Sequence, residues 1–493
     1  MLLIKKKIMK KYIVRLIMLC NLLFLLIPGI AQKLTRRPNV LILHADEWRA
    51  QSTGYAGDKN VKVPNIDRLA ASSANFALAV SGLPVCTPFR ASLLTGRRPL
   101  SNGIFMNDVL LDTNAMTIAK VFDKNGYKTG YIGKWHLDGQ YRLDYTPPGG
   151  RRQGFEYWKA VNCDHDYNHS VYYDNNDSTK RYWEGYDVFA ESKDAEKYIQ
   201  NHAHGDKPFF LMVAWGAPHN PYHTAPEKYN KMYDPDKMIL RPNVPDSLQK
   251  KVRYDLAGYY AHMSAIDDMI GEILTTLKNE NILDNTIILF TSDHGDMVGS
   301  QGAYFKQRPW DESIRIPMLF HYPGKEGIKN GTYNAMINSE DIMPTLLGLA
   351  NLPIPNSVEG KDFSKYMRCK GPDPKDTVAL ITCIQPFGQW IVSEGGKEFR
   401  GIRTPRYTYV RDLKGPWLLY DNTTDPYQMK NLAGNKDYAV LQARLDKILI
   451  NKLAITKDQF LPGLTYVKKY NYPALDSSQT VPYYGANHPP VKQ

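Results

Sequence analysis

The chain has 493 residues, 43% of them hydrophobic, with 62 Lys and Arg against 50 Asp and Glu, a net charge of +12, and five cysteines. That length allows a large core and two or three domains and excludes a small disulfide-stapled scaffold, and no basic run argues for nucleic acid as a partner. Six of the excess positive charges, Lys5, Lys6, Lys7, Lys10, Lys11 and Arg15, lie in the first 31 residues, so half the excess belongs to one short segment.

That segment is basic at its start, continues into the apolar run IVRLIMLCNLLFLLIPGIA and holds no acid, the pattern of a secretory signal peptide over 1–31, with Gly29 and Ala31 ahead of a cleavage before Gln32. An uncleaved anchor is the alternative, and Met18 and Leu19 argue against lipidation of Cys20. The expected location is secreted or periplasmic, with no stable membrane insertion after cleavage. Four cysteines then remain, Cys86, Cys163, Cys369 and Cys383, of which Cys369 and Cys383 are the pair considered for a disulfide.

Five short apolar runs follow, each ending in polar residues able to do chemistry: NVLILHADEW from Asn39, TGYIGKWH at 129–136, PFFLMVAWGAPH at 208–219, TIILFTSDHGD at 286–296 and PMLFHYPG at 317–324. Helical spacing recurs between them, at 114–125 and over 253–279. This alternation predicts an α/β fold, a large mostly parallel sheet sandwiched by helices, with ligands at the carboxyl ends of the strands. From 140 to 190 the pattern dissolves into Gly, Pro, Asn, Asp and Tyr, which reads as functional loops. After about 370, RGIRTPRYTYVRD and GPWLLYDNTTDPYQMKNLA read as antiparallel strands followed by a helix near 437–453, a smaller C-terminal α+β subdomain with an extended tail past 472. The expected division is a signal peptide over 1–31, a catalytic domain over 32–369 and a C-terminal subdomain over 370–493.

Asp46 and Glu47 end one strand and Asp293 and His294 another, so four candidate ligands converge on a hard divalent cation, calcium or magnesium, the histidine also admitting manganese or zinc. Lys134 and His136 alternate at a third strand end and are expected to face the same way. With His219 and Lys306 they supply two cations for an anion and two imidazoles for proton transfer. Cys86 opens a helical stretch with Arg90 one turn on, the setting of a reactive thiolate, yet sulfur is a poor match for a site of oxygen ligands.

PNVLILHADE, VPNIDRLA, CTPFRASLLTGR, GYIGKWH, PHNPY, FTSDHGD and LYDNTTDPYQMKNLA together resemble the type I, formylglycine-dependent sulfatases of the alkaline-phosphatase-like superfamily, over nearly the whole chain after the leader. CTPFRASLLTGR matches the C-x-P-x-R…T-G modification signature of that family. The resemblance implies that a formylglycine-generating or radical sulfatase-maturating enzyme oxidises Cys86 to 3-oxoalanine. It further implies that one hydroxyl of the aldehyde hydrate attacks sulfur, favoured by the metal and Arg90, and that His219 protonates the leaving alcohol. His136 deprotonates the second hydroxyl to expel sulfate, while Lys134 and Lys306 hold the sulfate oxygens. By the same carry-over, Asp46, Glu47, Asp293 and His294 bind one ion, calcium, with magnesium or manganese as substitutes. Glu47 departs from the usual Asp or Gln, and His294 from the Asn of some relatives.

An exported enzyme of this kind implies a sulfated glycan substrate, read here as an exo-acting O-sulfatase on mucin-type or glycosaminoglycan sugars. The loop with Asp164, His165, Asp166, Tyr167 and His169 is the expected sugar contact, and Arg151 and Arg152 are candidates for a second anion. The competing readings are a phosphonate or phosphate monoester hydrolase and a non-catalytic binder of sulfated glycans.

Overall fold

The computed structural model describes residues 37–324, 327–371 and 378–485, with Ile4 and Met9 ahead of them. Apart from those two positions the expected leader lies outside the described residues, among which no helix is long and apolar enough to cross a membrane.

The apolar runs fold into one ten-stranded sheet: β1 (Asn39–Ala45), β2 (Ala74–Phe76), β3 (Lys128–Lys134), β4 (Tyr157–Val161), β5 (Val171–Asp174), β6 (Arg181–Tyr182), β7 (Phe209–Ala214), β8 (Thr286–Ser292), β9 (Met318–His321) and β10 (Gly331–Tyr333), in the spatial order β10-β2-β9-β8-β1-β7-β3-β4-β5-β6. The central five, β8, β1, β7, β3 and β4, are parallel. The fifth apolar run, β9, lies antiparallel to β8 and begins one margin of the sheet. The stretch read as loops over 140–190 carries the other margin, β4 to β6. Its strands are short and its periodicity is hidden by aromatic and polar residues such as Tyr157, Lys159 and Tyr172, which are only half-buried.

Alternation along β1 sends Leu41 and Leu43 to one helical layer and Val40 and Ile42 to the other, which is why the run reads as continuously apolar. On the first face lie α1 (Pro64–Ala71), α4 (Asp187–His202) and the long α5 (Gln249–Asn279); on the second lie α2 (Cys86–Thr95), α3 (Ile118–Lys124) and α6 (Ile342–Leu349).

Beyond the sheet, β11 (Ala379–Cys383), β12 (Phe399–Arg403), β13 (Tyr407–Asp412) and β14 (Gly415–Asp421) form an antiparallel meander covered by α7 (Ala439–Thr456) through Leu445, Leu449 and Leu453. The disulfide considered for Cys369 and Cys383 is not formed: Cys369 is exposed, Cys383 is buried in β11, and all four described cysteines are free. The registers Ala45 with Ser292, His44 with Ala214 and Gly133 with Ala214 bring the carboxyl ends of β1, β8, β7 and β3 level.

Candidate active site

The strand ends deliver Asp46, Glu47, Asp293 and His294 to one point, and α2 begins there with Cys86. Val85 is extended and the helix stops at Gly96 in the left-handed region (φ +63°), so the signature CTPFRASLLT is one buried helix. One ligand atom each from Asp46, Cys86, Asp293 and His294 lie within 4.8 Å of one another. Cys86 Sγ is 3.6 Å from Asp46 Oδ1 and 3.3 Å from His294 Nε2. His294 Nδ1 lies 2.9 Å from Gly295 O; an N–H donated there leaves the Nε2 lone pair facing the cluster, as a metal ligand requires. Arg90 donates to Asp46 Oδ2 at 3.1 Å, reaches Asp293 Oδ2 at 3.5 Å and is anchored by Lys134 O at 2.6 Å. Two buried carboxylates and an imidazole with its free nitrogen inward are a donor set that fits a hard divalent cation.

Glu47 stands beside this group rather than in it. Its backbone turns left-handed (φ 71°) directly after β1, and its carboxylate lies 3.5 Å from His219 Nε2 and 3.6 Å from Lys306 Nζ. Both carboxylate oxygens are buried without a hydrogen bond, and burial pushes the group up to about 8 against the pull of Lys306.

Lys134, Lys306, His136 and His219 surround Cys86 and line one cavity of about 680 Å³. Lys134 Nζ is 2.7 Å from Asp46 Oδ2, and Lys306 Nζ is 3.2 Å from Cys86 Sγ and 2.9 Å from His219 Nε2. His219 Nδ1 sits 2.7 Å from Asn220 O, so its Nε2 accepts from Lys306. The expected alternation of Lys134 and His136 along a strand is replaced by a different route: β3 ends at Lys134, and His136 reaches the cavity through a left-handed backbone (φ 54°). The two imidazoles are driven apart. Burial and then Lys306 hold His219 well below its ordinary value, whereas for His136 burial is outweighed by Cys163 and Asp108, which raise it to about 10. The Cys86 thiol, opposed by burial and Asp46, is nevertheless held well below its usual range by Lys306, Lys134 and His294.

Asp164 and His165 line the cavity as expected, and Asp166 lines its rim. Asp164 accepts three backbone N–H groups, from His165, Asp166 and Val171, which fixes the loop. His165 stacks on His219 at 4.3 Å and receives Lys134 Nζ at 3.1 Å. The rest of that loop differs from expectation. Tyr167 is buried and donates to His219 O at 2.7 Å, and His169 stacks on Tyr182 away from the cavity. Nor do Arg151 and Arg152 reach it: Arg151 pairs with Asp138, and Arg152 is buried against Trp158 with its guanidinium on Thr146 O and Asn175 O. The arginine that lines the cavity is Arg142, forked onto Asp108, and the C-terminal segment supplies Asp476, Ser478, Thr480 and Tyr483. Arg142 could have been flagged by its place in the loop after GKWH, but nothing local marks the tail.

A sulfatase family profile matches residues 38–352, and a profile described as the N-sulphoglucosamine sulphohydrolase C-terminal region matches 299–454. An ulvan-active sulfatase of Formosa agariphila is 45% identical over 458 residues, 92% of this chain and 88% of that protein. An endo-4-O-sulfatase of Bacteroides thetaiotaomicron is 31% identical over 472 residues, 82% of this chain and 90% of that protein. A solved structure from Bacteroides thetaiotaomicron, described in connection with the metabolism of multiple glycosaminoglycans, is similar with a TM-score of 0.78 at 29% identity, covering 91% of this chain and 100% of that one. With its alkaline-phosphatase-like sheet and its buried carboxylate, imidazole and cysteine cluster, this chain belongs to the sulfatase family.

Proposed function

We propose that the protein is an exported carbohydrate O-sulfatase that removes sulfate from a terminal sugar of a polysaccharide. The observation that carries this reading is that two buried lysines meet the cluster: Lys134 Nζ pairs with Asp46 Oδ2 at 2.7 Å and Lys306 Nζ reaches Cys86 Sγ at 3.2 Å, with Asp46, Asp293 and His294 gathered around the same cysteine. Two fixed ammonium groups at a desolvated floor suit a sulfate. The relatives named for ulvan and for multiple glycosaminoglycans support a sulfated polysaccharide as the source.

Asp46, Asp293 and His294 would hold the cation, calcium first, with Glu47 at its flank, where two buried oxygens without hydrogen bonds await a partner. Position 86 would carry formylglycine, made by a maturation enzyme, and its hydrate supplies an oxygen nucleophile for sulfur beside a hard ion. The chain's own groups do the rest. Arg90 steadies the carboxylates from below and puts positive charge at the head of α2. Lys134 and Lys306 neutralise the sulfate oxygens as charge shifts in the transition state. His219 serves the leaving alcohol: burial and then Lys306 keep this imidazole neutral, and a sulfate beside Lys306 offsets the second of these and favours the protonated donor. His136, which lines the same cavity with its Nδ1 buried and free of hydrogen bonds, serves the hydroxyl at position 86, and conversion of the Cys86 thiol removes one of the groups that favour its protonated form. The basic and apolar N-terminal segment supports a periplasmic or secreted location.

Incubation with mono- and disaccharides sulfated at defined positions, reading released sulfate and product, tests the reading. Release from terminal sugars is expected, and cleavage of an aryl phosphonate far faster than any sulfate ester would refute it.

A further inference from the structure

The base assigned above, His136, is held by a relay that ends in the C-terminal segment. His136 Nε2 lies 3.3 Å from Asp108 Oδ1, and Arg142 forks onto both oxygens of the same carboxylate at 2.7 Å each. Asp108 has no exposed side-chain surface and adopts a left-handed backbone (φ 62°), a conformation that aspartate tolerates better than most residues. Its loop is tied to the head of α2, where Asn107 Oδ1 accepts from the Thr87 N–H at 3.0 Å.

Arg142 is fixed in turn by the tail. Tyr484 N donates to Gln140 O at 2.8 Å, Arg142 N donates to Tyr484 O at 2.8 Å, and Gln140 Nε2 donates to Pro482 O at 2.6 Å. This bridge lays the Tyr483 ring over the Arg142 guanidinium, 3.4 Å from Cζ to the ring centroid, an arrangement that favours a cation over an aromatic face. Further back, Tyr472 stacks on Phe105 at 4.4 Å and donates to Gly103 O at 2.7 Å, so the tail also grips the chain just ahead of Asp108.

We propose that the C-terminal segment 472–485 completes the catalytic apparatus: Tyr483 clamps Arg142, Arg142 holds Asp108, and Asp108 takes Nε2 of His136 and so leaves Nδ1 as the unpartnered ring nitrogen. Asp108, Arg142 and Tyr483 are thus positioning residues, and the inference rests on the role given to His136 above. An Asp108 carboxylate shared between a guanidinium and an imidazole sets which ring nitrogen carries the proton, the function that partners of a working histidine commonly have.

The test uses the full chain with Asp108→Asn, Arg142→Gln, Tyr483→Leu, Tyr483→Phe and His136→Gln. Turnover of 4-nitrophenyl sulfate is measured on modified enzyme, and the His136 imidazole N–H resonance is followed in histidine-labelled Cys86→Ala protein, which needs no modification. Expected is a fall in kcat of roughly 10- to 100-fold for Asp108→Asn, Arg142→Gln and Tyr483→Leu with KM little changed. Tyr483→Phe, which keeps a ring over the guanidinium, should lose less kcat than Tyr483→Leu, and the His136 N–H signal should weaken or shift in Tyr483→Leu at an unaltered melting temperature. If His136→Gln is inactive but Tyr483→Leu and Arg142→Gln keep both kcat and the signal, the relay is refuted and the role of His136 stands. If His136→Gln turns over normally, the assigned role fails, and the N–H signal alone decides whether the tail positions the ring.

Discussion

The backbone N–H of Glu47 donates to Asp293 Oδ1 at 2.9 Å, joining two strand ends that are 246 residues apart in sequence. The same oxygen accepts from the His294 N–H at 3.0 Å, so the loop geometry around the carboxylates is held by the protein itself. An ion is then needed to balance charge and not to build the loops. Chelation is expected to abolish sulfate release while leaving the far-ultraviolet dichroism intact. Calcium should restore activity and raise the melting temperature, with a gain of about 2.7 kcal/mol at an ion concentration 100-fold above Kd. Asp293→Asn should remove that calcium-dependent rise and lower bound calcium in elemental analysis.

Arg90 lies beneath both carboxylates with its side chain 1% exposed. Truncation leaves two buried charges facing each other, a change that typically costs about 3–5 kcal/mol. Arg90→Ala should therefore lower the urea midpoint markedly, and part of the loss should return with calcium, which supplies the missing positive charge.

Lys306 touches both Cys86 and His219. Lys306→Met keeps the bulk and removes the charge. The expected loss is roughly 10²- to 10³-fold in kcat, as for deletion of one preorganised transition-state donor. Stability should change little, because Glu47 loses only a partner at 3.6 Å. A variant with normal kcat would remove Lys306 from the sulfate clamp.

Far from this site, Asp267 accepts the Asn65 and Ile66 N–H groups at the start of α1, at 3.0 and 2.7 Å. Burial raises it from the ordinary 3.8 to about 6 despite those bonds. The folded chain therefore binds this proton more tightly than the unfolded chain, and stability falls as pH rises from about 4 to about 6. The contribution is at most about 3 kcal/mol, two pK units at 1.36 kcal/mol each. Denaturant melts at pH 4, 5 and 6 should show this slope in wild type, and Asp267→Asn should flatten it.

The catalytic end of the sheet was legible because buried parallel strands are read from apolar runs, and the polar residues that close those runs must lie at one edge. Asp46, Asp293, His294 and Lys134 follow from that rule, whereas Cys86 opens a helix and is marked by the family signature, which also supplies its chemistry. His136 reached the right place for another reason, a left-handed turn that no period reports. Arg151 and Arg152 looked like anion ligands from their charge alone, yet their partners Asp138, Thr146 and Asn175 claim them. Arg142 and Tyr483 lie 341 positions apart in number, and no local pattern predicts that one ring will settle on the other. The strands β4 to β6 escape a period because they are short, only half-buried and set among loop residues rich in Gly, Pro, Asn and Asp.

The proposed function stands on Cys86 as the precursor of the nucleophile in a carbohydrate sulfatase. Mass spectrometry of the Cys86 peptide from protein made in its native host, paired with sulfate release by that same sample from sulfated sugars, tests it most directly. The expected result is an aldehyde in place of the thiol, activity in proportion to the modified fraction, and none in Cys86→Ala. An unmodified thiol in a fully active sample would contradict it.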